Sequence, residues 1–223
     1  MTNDYQDASP DNNDHYDADR MNEKEKDVLR EIASIGAGHA ATALAEMLSH
    51  TITMDVPKLR ILPVEALFTF FGDPESEVAG IVFNMHGDMR GSVLYIIDKQ
   101  LIHQLLSIML NKEIDRFDAL NDMDYSALTE IGNIVVGSYI SAISETTGLQ
   151  IFMTPPNLTI DMLGAILNYP LQVSNGQDSP VLFVEDTFLD ASDEDKQIVC
   201  HLLILPESDS LSDMLRQLGI EHG

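Results

Sequence analysis

One cysteine, no tryptophan and only 12 Lys+Arg against 37 Asp+Glu mark this chain of 223 residues, whose formal net charge is −25. A single cysteine excludes an intramolecular disulfide framework and the multi-cysteine zinc motifs. Cys200 lies in an apolar run and reads as a core residue. The scarcity of cations argues against nucleic acid and anionic membrane surfaces as partners, because both are polyanions. No uninterrupted apolar run approaches the roughly 18 residues of a membrane span. The acidic N-terminus lacks the apolar segment of a secretory signal, so a cytoplasmic location is expected. The seven histidines include no H-x3-H pair, so no metal is expected on this chain. Nor is there a glycine-rich phosphate loop: Ile35-Gly36-Ala37-Gly38 falls inside a helical pattern, where glycines read as packing.

With 44% apolar residues the chain has enough to enclose a core. Residues 1–22 are different. They hold six Asp and one Arg, and the first branched aliphatic residue is Val28. Such a segment cannot offset its ordering entropy, so 1–22 is expected to be a disordered acidic tail, either a solvating leader or an interaction tail. The tail does not account for the charge, since 31 acids and 11 bases remain beyond it. An acid excess on the folded surface fits either a high-salt interior or an ordinary acidic protein with a basic partner.

An internal repeat organises the rest. The segment starting at Asp27 matches the one starting at Ser126 without a gap, at an offset of 99 residues that pairs Glu31 with Glu130, Gly38 with Gly137 and Pro57 with Pro156. Each copy predicts a long helix, over Asn22–Ser49 and Tyr125–Glu145, from apolar residues near a 3.6 period. Strands are predicted at Lys58–Pro63, Val78–Met85, Gly91–Ile97, Leu158–Thr159, Val181–Glu185 and Ile198–Leu205. Further helices are expected at Lys99–Leu110, with Asp98 as N-cap, and at Ser208–Leu218, closed by Gly219. The expected fold is α+β: a pseudo-twofold duplicated helix-plus-strands unit, its long helices packed on a mostly antiparallel sheet. One domain is expected over 23–223, with halves at about 27–110 and 126–218.

Polar residues break the apolar stripe of the second helix in a pattern. Ser126, Glu130 and Asn133 stand at i, i+4 and i+7, which places them on one face. The first helix holds Asp27, Glu31 and Ser34 at the same positions, and in both copies a proline follows after 22 residues, Pro57 and Pro156. The pattern Asp/Ser-x3-Glu-x2-Asn with its distant Pro resembles the signature of the CheC/CheX/FliY chemotaxis phosphatases. Two copies in one chain resemble the CheC-like members. The second copy fits at every position, whereas the first has Ser34 in place of Asn.

What the resemblance implies is an enzyme that hydrolyses the aspartyl phosphate of phosphorylated CheY. That site already holds its own Mg²⁺ and Lys, so this chain needs no cofactor. What it lacks is an oriented water for in-line attack. An amide accepts one hydrogen bond and donates another, and Asn133 is the candidate for that role. By resemblance, Glu130 pairs with the partner's Lys, with Asp27 and Ser126 at the docking edges of the two faces. Ser34 is shorter and not planar, so the Glu31/Ser34 site is expected to be weak. Pro57 and Pro156 read as strand entries. The stretch Asp161–Leu167 is similar to the short helix at which CheC-like proteins dock the receptor deamidase CheD; Asp161 is either a docking residue or an N-cap. A monomer is expected. The alternative function is a non-catalytic adaptor for CheY-P or CheD.

Overall fold

The computed structural model describes residues 21–112, 117–173, 181–190 and 193–219. Most of the expected tail lies outside this range, but its last two residues do not. Met21 is buried in the core, and Asn22 caps the first helix.

The repeat is carried through the whole fold. The first half runs α1 (Glu23–Leu48), β1 (Ile52–Met54), β2 (Lys58–Leu62), α2 (Val64–Phe71), β3 (Glu77–Gly87), β4 (Gly91–Asp98) and α3 (Lys99–Leu110). The second repeats the order as α4 (Asp122–Thr147), β5 (Ile151–Met153), β6 (Asn157–Met162), α5 (Leu163–Val173), β7 (Val181–Asp190), β8 (Asp193–Pro206) and α6 (Ser208–Gln217). Both long helices have 26 residues and open with the same device, a capping box: Asn22 with Glu25 and Asn121 with Asp124. The third helix matches its expected bounds, with the Asp98 carboxylate accepting from the Leu101 N–H at 2.7 Å and Asn111 left-handed at its end. The strands run longer than expected, chiefly β3, β7 and β8, while α2, β1 and β5 were not expected at all.

All the strands join one antiparallel sheet in the order β1-β7-β8-β4-β3-β5, with β2 extending β1's place on β7 and β6 extending β5's place on β3. Each half therefore lends its first two strands to the other half. The central ladder is β4 against β8, which sets the pseudo-twofold between them.

Strand alternation splits the core into two layers. Ile81, Phe83, Val93, Tyr95, Val184 and Leu202 face the long helices, while Val78, Leu94, Ile96, Phe183 and Leu203 face the short helices α2 and α5. Because both faces are covered, β4 reads in sequence as the unbroken run Ser92–Ile97, all buried.

Glycine lets α1 and α4 approach closely. A Cβ on Gly36 would lie 2.8 Å from the Tyr139 ring, and one on Gly132 would lie 2.8 Å from Ile81 of the sheet. The reading of Gly38 as packing is corrected: nothing lies within 4 Å of its Cβ position. Leu29 and Ile32 meet Tyr139 and Ile143 around one small cavity, low numbers on α1 against high numbers on α4, so the helices run antiparallel. Among the described helices only α4 is long and apolar enough to cross a membrane, and 56% of its most apolar stretch is buried inside the fold.

Candidate functional site

On α4, the side chains of Leu128, Ile131, Val135 and Val136 are buried, which turns Ser126 and Glu130 to solvent and leaves Asn133 half-buried. Residues i and i+3 on a helix stand about 5–6 Å apart at Cβ, so Glu130 and Asn133 form one small polar patch. Neither side chain has a hydrogen bond or ion pair with another described residue. The Ser126 hydroxyl donates to the Asp122 carbonyl at 2.8 Å.

The patch is held by a fixed helix. At the N-terminus the Asn121 side chain accepts from the Met123 and Asp124 N–H groups at 2.9 and 3.2 Å, and the Asp124 carboxylate accepts from the Asn121 N–H at 2.8 Å. Burial works to raise the pKa of Asp124, but the Lys112 ammonium and the Asn121 N–H outweigh it and hold the carboxyl below its ordinary value. Further along α4, the Tyr139 hydroxyl reaches through the core to Asp186 on β7, 2.6 and 2.7 Å from its two oxygens.

The corresponding face of α1 has different chemistry. Glu31 is exposed, but Asp27 is paired with Arg30 at 2.7 Å. The Ser34 hydroxyl donates back to the Arg30 carbonyl at 2.9 Å, so its one proton is already committed. The structure thus brings each triplet together on its own helix and keeps the two faces on separate, antiparallel helices. Pro57 and Pro156 stand immediately before β2 and β6, as strand entries would.

Asp161 departs from expectation. It lies in β6, opposite Val78, and its carboxylate accepts from the Met162 N–H at 2.7 Å. It does not cap α5: the first helical N–H groups, of Leu163 and Gly164, are taken by the carbonyls of Ser76 and Pro74. The helix also begins later than Asp161 and runs on through Pro170 to Val173. Asp161 is exposed and lines an open groove of about 320 Å³ with Asn84, Asn157 and Tyr169.

Among the described residues, no group of three or more His, Cys, Asp or Glu converges closely enough to hold a metal ion. Sequence reasoning missed the Tyr139–Asp186 pair. The signal available was a lone carboxylate at a core-facing position of β7, between Val184 and Phe188.

Comparison with known proteins now bears on this site. The sequence model of the CheC-like family matches residues 25–61 and 123–160, the two segments that carry the triplets and prolines. The chain is 34% identical over 204 residues to the CheY-P phosphatase CheC of Bacillus subtilis, covering 89% of this chain and 96% of that protein. The chain belongs to the CheC-like family. It is also 26% identical over 145 residues to the flagellar motor switch phosphatase FliY of Bacillus subtilis, 65% of this chain and 38% of that longer protein. Among solved structures, FliY of Thermotoga maritima superposes with a TM-score of 0.71 at 22% identity, covering 89% of this chain and 98% of that one. The FliM middle domain of H. pylori follows the same fold at a TM-score of 0.62 and 10% identity, covering 88% and 99%. At those identities the likeness is one of fold alone.

Proposed function

We propose that this CheC-like protein is a protein aspartyl-phosphate phosphatase that dephosphorylates phosphorylated CheY. One observation carries the reading: Glu130 and Asn133 stand side by side on the solvent face of a capped, core-anchored helix, with no described residue competing for either side chain. Glu130 docks on the active-site Lys of the receiver domain, and Asn133 enters beside the phosphoryl group. Its amide accepts a hydrogen bond from one water and orients it for in-line attack, which supplies the alignment that the receiver lacks. The Mg²⁺ that neutralises developing charge belongs to CheY. No covalent intermediate on this chain is needed.

The Glu31/Ser34 face is the weaker of the two. Ser34 falls roughly 1–2 Å short of an asparagine's reach, a misplacement worth on the order of 10²-fold in rate. With its proton given to Arg30, the hydroxyl has none left for orienting water while that bond persists. This face docks CheY-P with little hydrolysis, the part of the adaptor reading that a specific observation favours.

Phosphate release from acetyl-phosphate-charged CheY tests the assignment. Asn133→Ala is expected to lose most of the acceleration and Glu31→Ala little of it; equal losses would overturn the asymmetry. Release by the wild type no faster than autodephosphorylation of CheY would overturn the activity itself. In this reading the protein works as a cytoplasmic monomer. The exposed Asp161 beside α5 offers a contact for CheD, and an Asp161→Lys variant that retains CheD as well as wild type in a pull-down would remove that contact.

A further inference from the structure

The first turn of α4 exposes two large apolar side chains, Met123 at 66% and Tyr125 at 37%. At 100° per residue, Met123 lies about 20° beyond Glu130 on one side of the polar stripe, and Tyr125 lies about 80° beyond Asn133 on the other. The two bracket the candidate site within an arc of about 160°. Met123 sits about 15 Å along the axis from Asn133, well within the footprint of a standard protein–protein interface. The capping box and the Lys112–Asp124 ion pair fix the turn that carries them.

The repeat gives a built-in control. At the offset of 99 the residues matching Met123 and Tyr125 are Lys24 and Lys26, and the residue matching Thr129 is Arg30. The α1 face therefore balances Glu23, Asp27 and Glu31 with three cations, two of which pair locally: Lys26 with Glu23 at 3.1 Å and Arg30 with Asp27 at 2.7 Å. The corresponding face of α4 holds Asp122 and Glu130 with no cation.

We propose that Met123 and Tyr125 are specificity-determining docking residues that bracket the Glu130/Asn133 site and select a phosphorylated receiver domain whose active-site lysine is bordered by apolar side chains. The inference rests on the phosphatase reading above. Apolar contacts on the two edges of the polar stripe, one to two turns N-terminal to Glu130, shield the interface that holds its ion pair with the partner's ammonium, which strengthens that pair and makes it selective. Methionine suits the task, since its flexible thioether adapts to the surface it meets. On α1, lysines at the same two positions repel the partner's lysine, so that face is poorer at docking as well as at hydrolysis.

Binding of beryllofluoride-loaded CheY, read by fluorescence anisotropy, separates the possibilities. Met123→Lys with Tyr125→Lys is expected to raise Kd about tenfold and to raise KM for CheY-P in parallel, with turnover recovered at saturating CheY-P. Asn133→Ala should instead lower kcat and leave Kd in place. The reverse exchange, Lys24→Met with Lys26→Tyr in a Glu130→Ala background, is expected to tighten binding, a gain that misfolding cannot imitate. If the wild type hydrolyses CheY-P but the lysine pair leaves Kd unchanged, the docking inference falls and the phosphatase reading stands. If the wild type neither binds nor hydrolyses, both fall.

Discussion

Asp186 is a carboxyl group in the middle of the core, 2% exposed, on the face of β7 that meets the long helices. Among the described residues its donor is the Tyr139 hydroxyl, and its ladder neighbour on β8 is Cys200. Burial raises its pKa to about 6, against the lowering effect of the Tyr139 bond. Moving a carboxyl from its ordinary value of 3.8 to about 6 corresponds to about 3 kcal/mol. The sign follows from proton binding. Between those values the native protein holds a proton that the unfolded chain has released, so this contribution is fully present below pH 4 and lost as pH rises through 6. Asp186→Asn keeps an acceptor for Tyr139 and removes the charge. Its own amide penalty does not change with pH, and Tyr139 and Cys200, which burial and the Asp186 charge both push up, stay protonated across this range in either protein. Urea unfolding of both from pH 4 to pH 8, at fixed salt, isolates the term. The stability of the variant relative to wild type should grow by about 2.5 kcal/mol over that range, since at pH 4 the unfolded carboxyl is still partly protonated, a relative shift in midpoint of about 1 M urea. A difference that stays flat, or that shrinks toward pH 8, would refute the reasoning.

Other consequences can be measured on the same protein. Gly36→Ala puts a methyl 2.8 Å from the Tyr139 ring and 3.0 Å from its Cα, which backbone cannot yield. It is expected to cost about 1–3 kcal/mol. Gly137→Ala sits in the interior of α4 with nothing within 4 Å and is expected to stabilise by about 0.5–1 kcal/mol; thermal melts of the two should move in opposite directions. The net charge of −25 predicts an unfolding midpoint that rises from low to multimolar KCl, and a flat or falling curve would remove the high-salt reading.

The long helices and the triplets were legible because repetition reinforces a weak local signal. The offset of 99 that aligns Glu31 with Glu130 also aligns the caps Asn22 and Asn121, a regularity that no single copy would establish. Short elements were not legible. Strands of three residues, such as β1 and β5, are too brief to display alternation. The run Val64–Phe71 is apolar nearly throughout and carries no side-chain cap, so period alone leaves helix and strand undecided. The expected short stretch Asp161–Leu167 starts too early and stops short, because α5 begins at Leu163 and continues through Pro170, a residue that usually ends a helix. The N-cap reading of Asp161 failed for a reason that lies far away in sequence: carbonyls of Pro74 and Ser76, not a local side chain, satisfy the helix start. The chemistry of the α1 face was half legible. Ser34 was visible as a departure, but its bond to Arg30 and the pairing of Asp27 needed coordinates.

Strand exchange is the feature of the fold with the largest bearing on how the two faces can differ. β1 and β2 pair with β7 of the second half, and β5 and β6 pair with β3 of the first. A half on its own would leave the outer edge of β3 or β7 open and its exchanged strands without a sheet, an invitation to self-association. Residues 1–112, expressed alone, are therefore expected to pair with a second copy or aggregate, whereas mixing them with residues 113–223 should restore a single cooperative transition. A folded, monomeric 1–112 by size-exclusion chromatography and circular dichroism would contradict the ladder assignments. Because each half pairs its first two strands with the other, the buried side of α1 is needed whatever chemistry its solvent face carries. The α1 residues that bury against Tyr139 and the sheet hold α4 in place, while the exposed Lys24 and the half-buried Lys26 and Ser34 carry no such constraint. Structural coupling with chemical independence accounts for two helices of identical length, each opened by an Asn capping box, whose solvent faces differ.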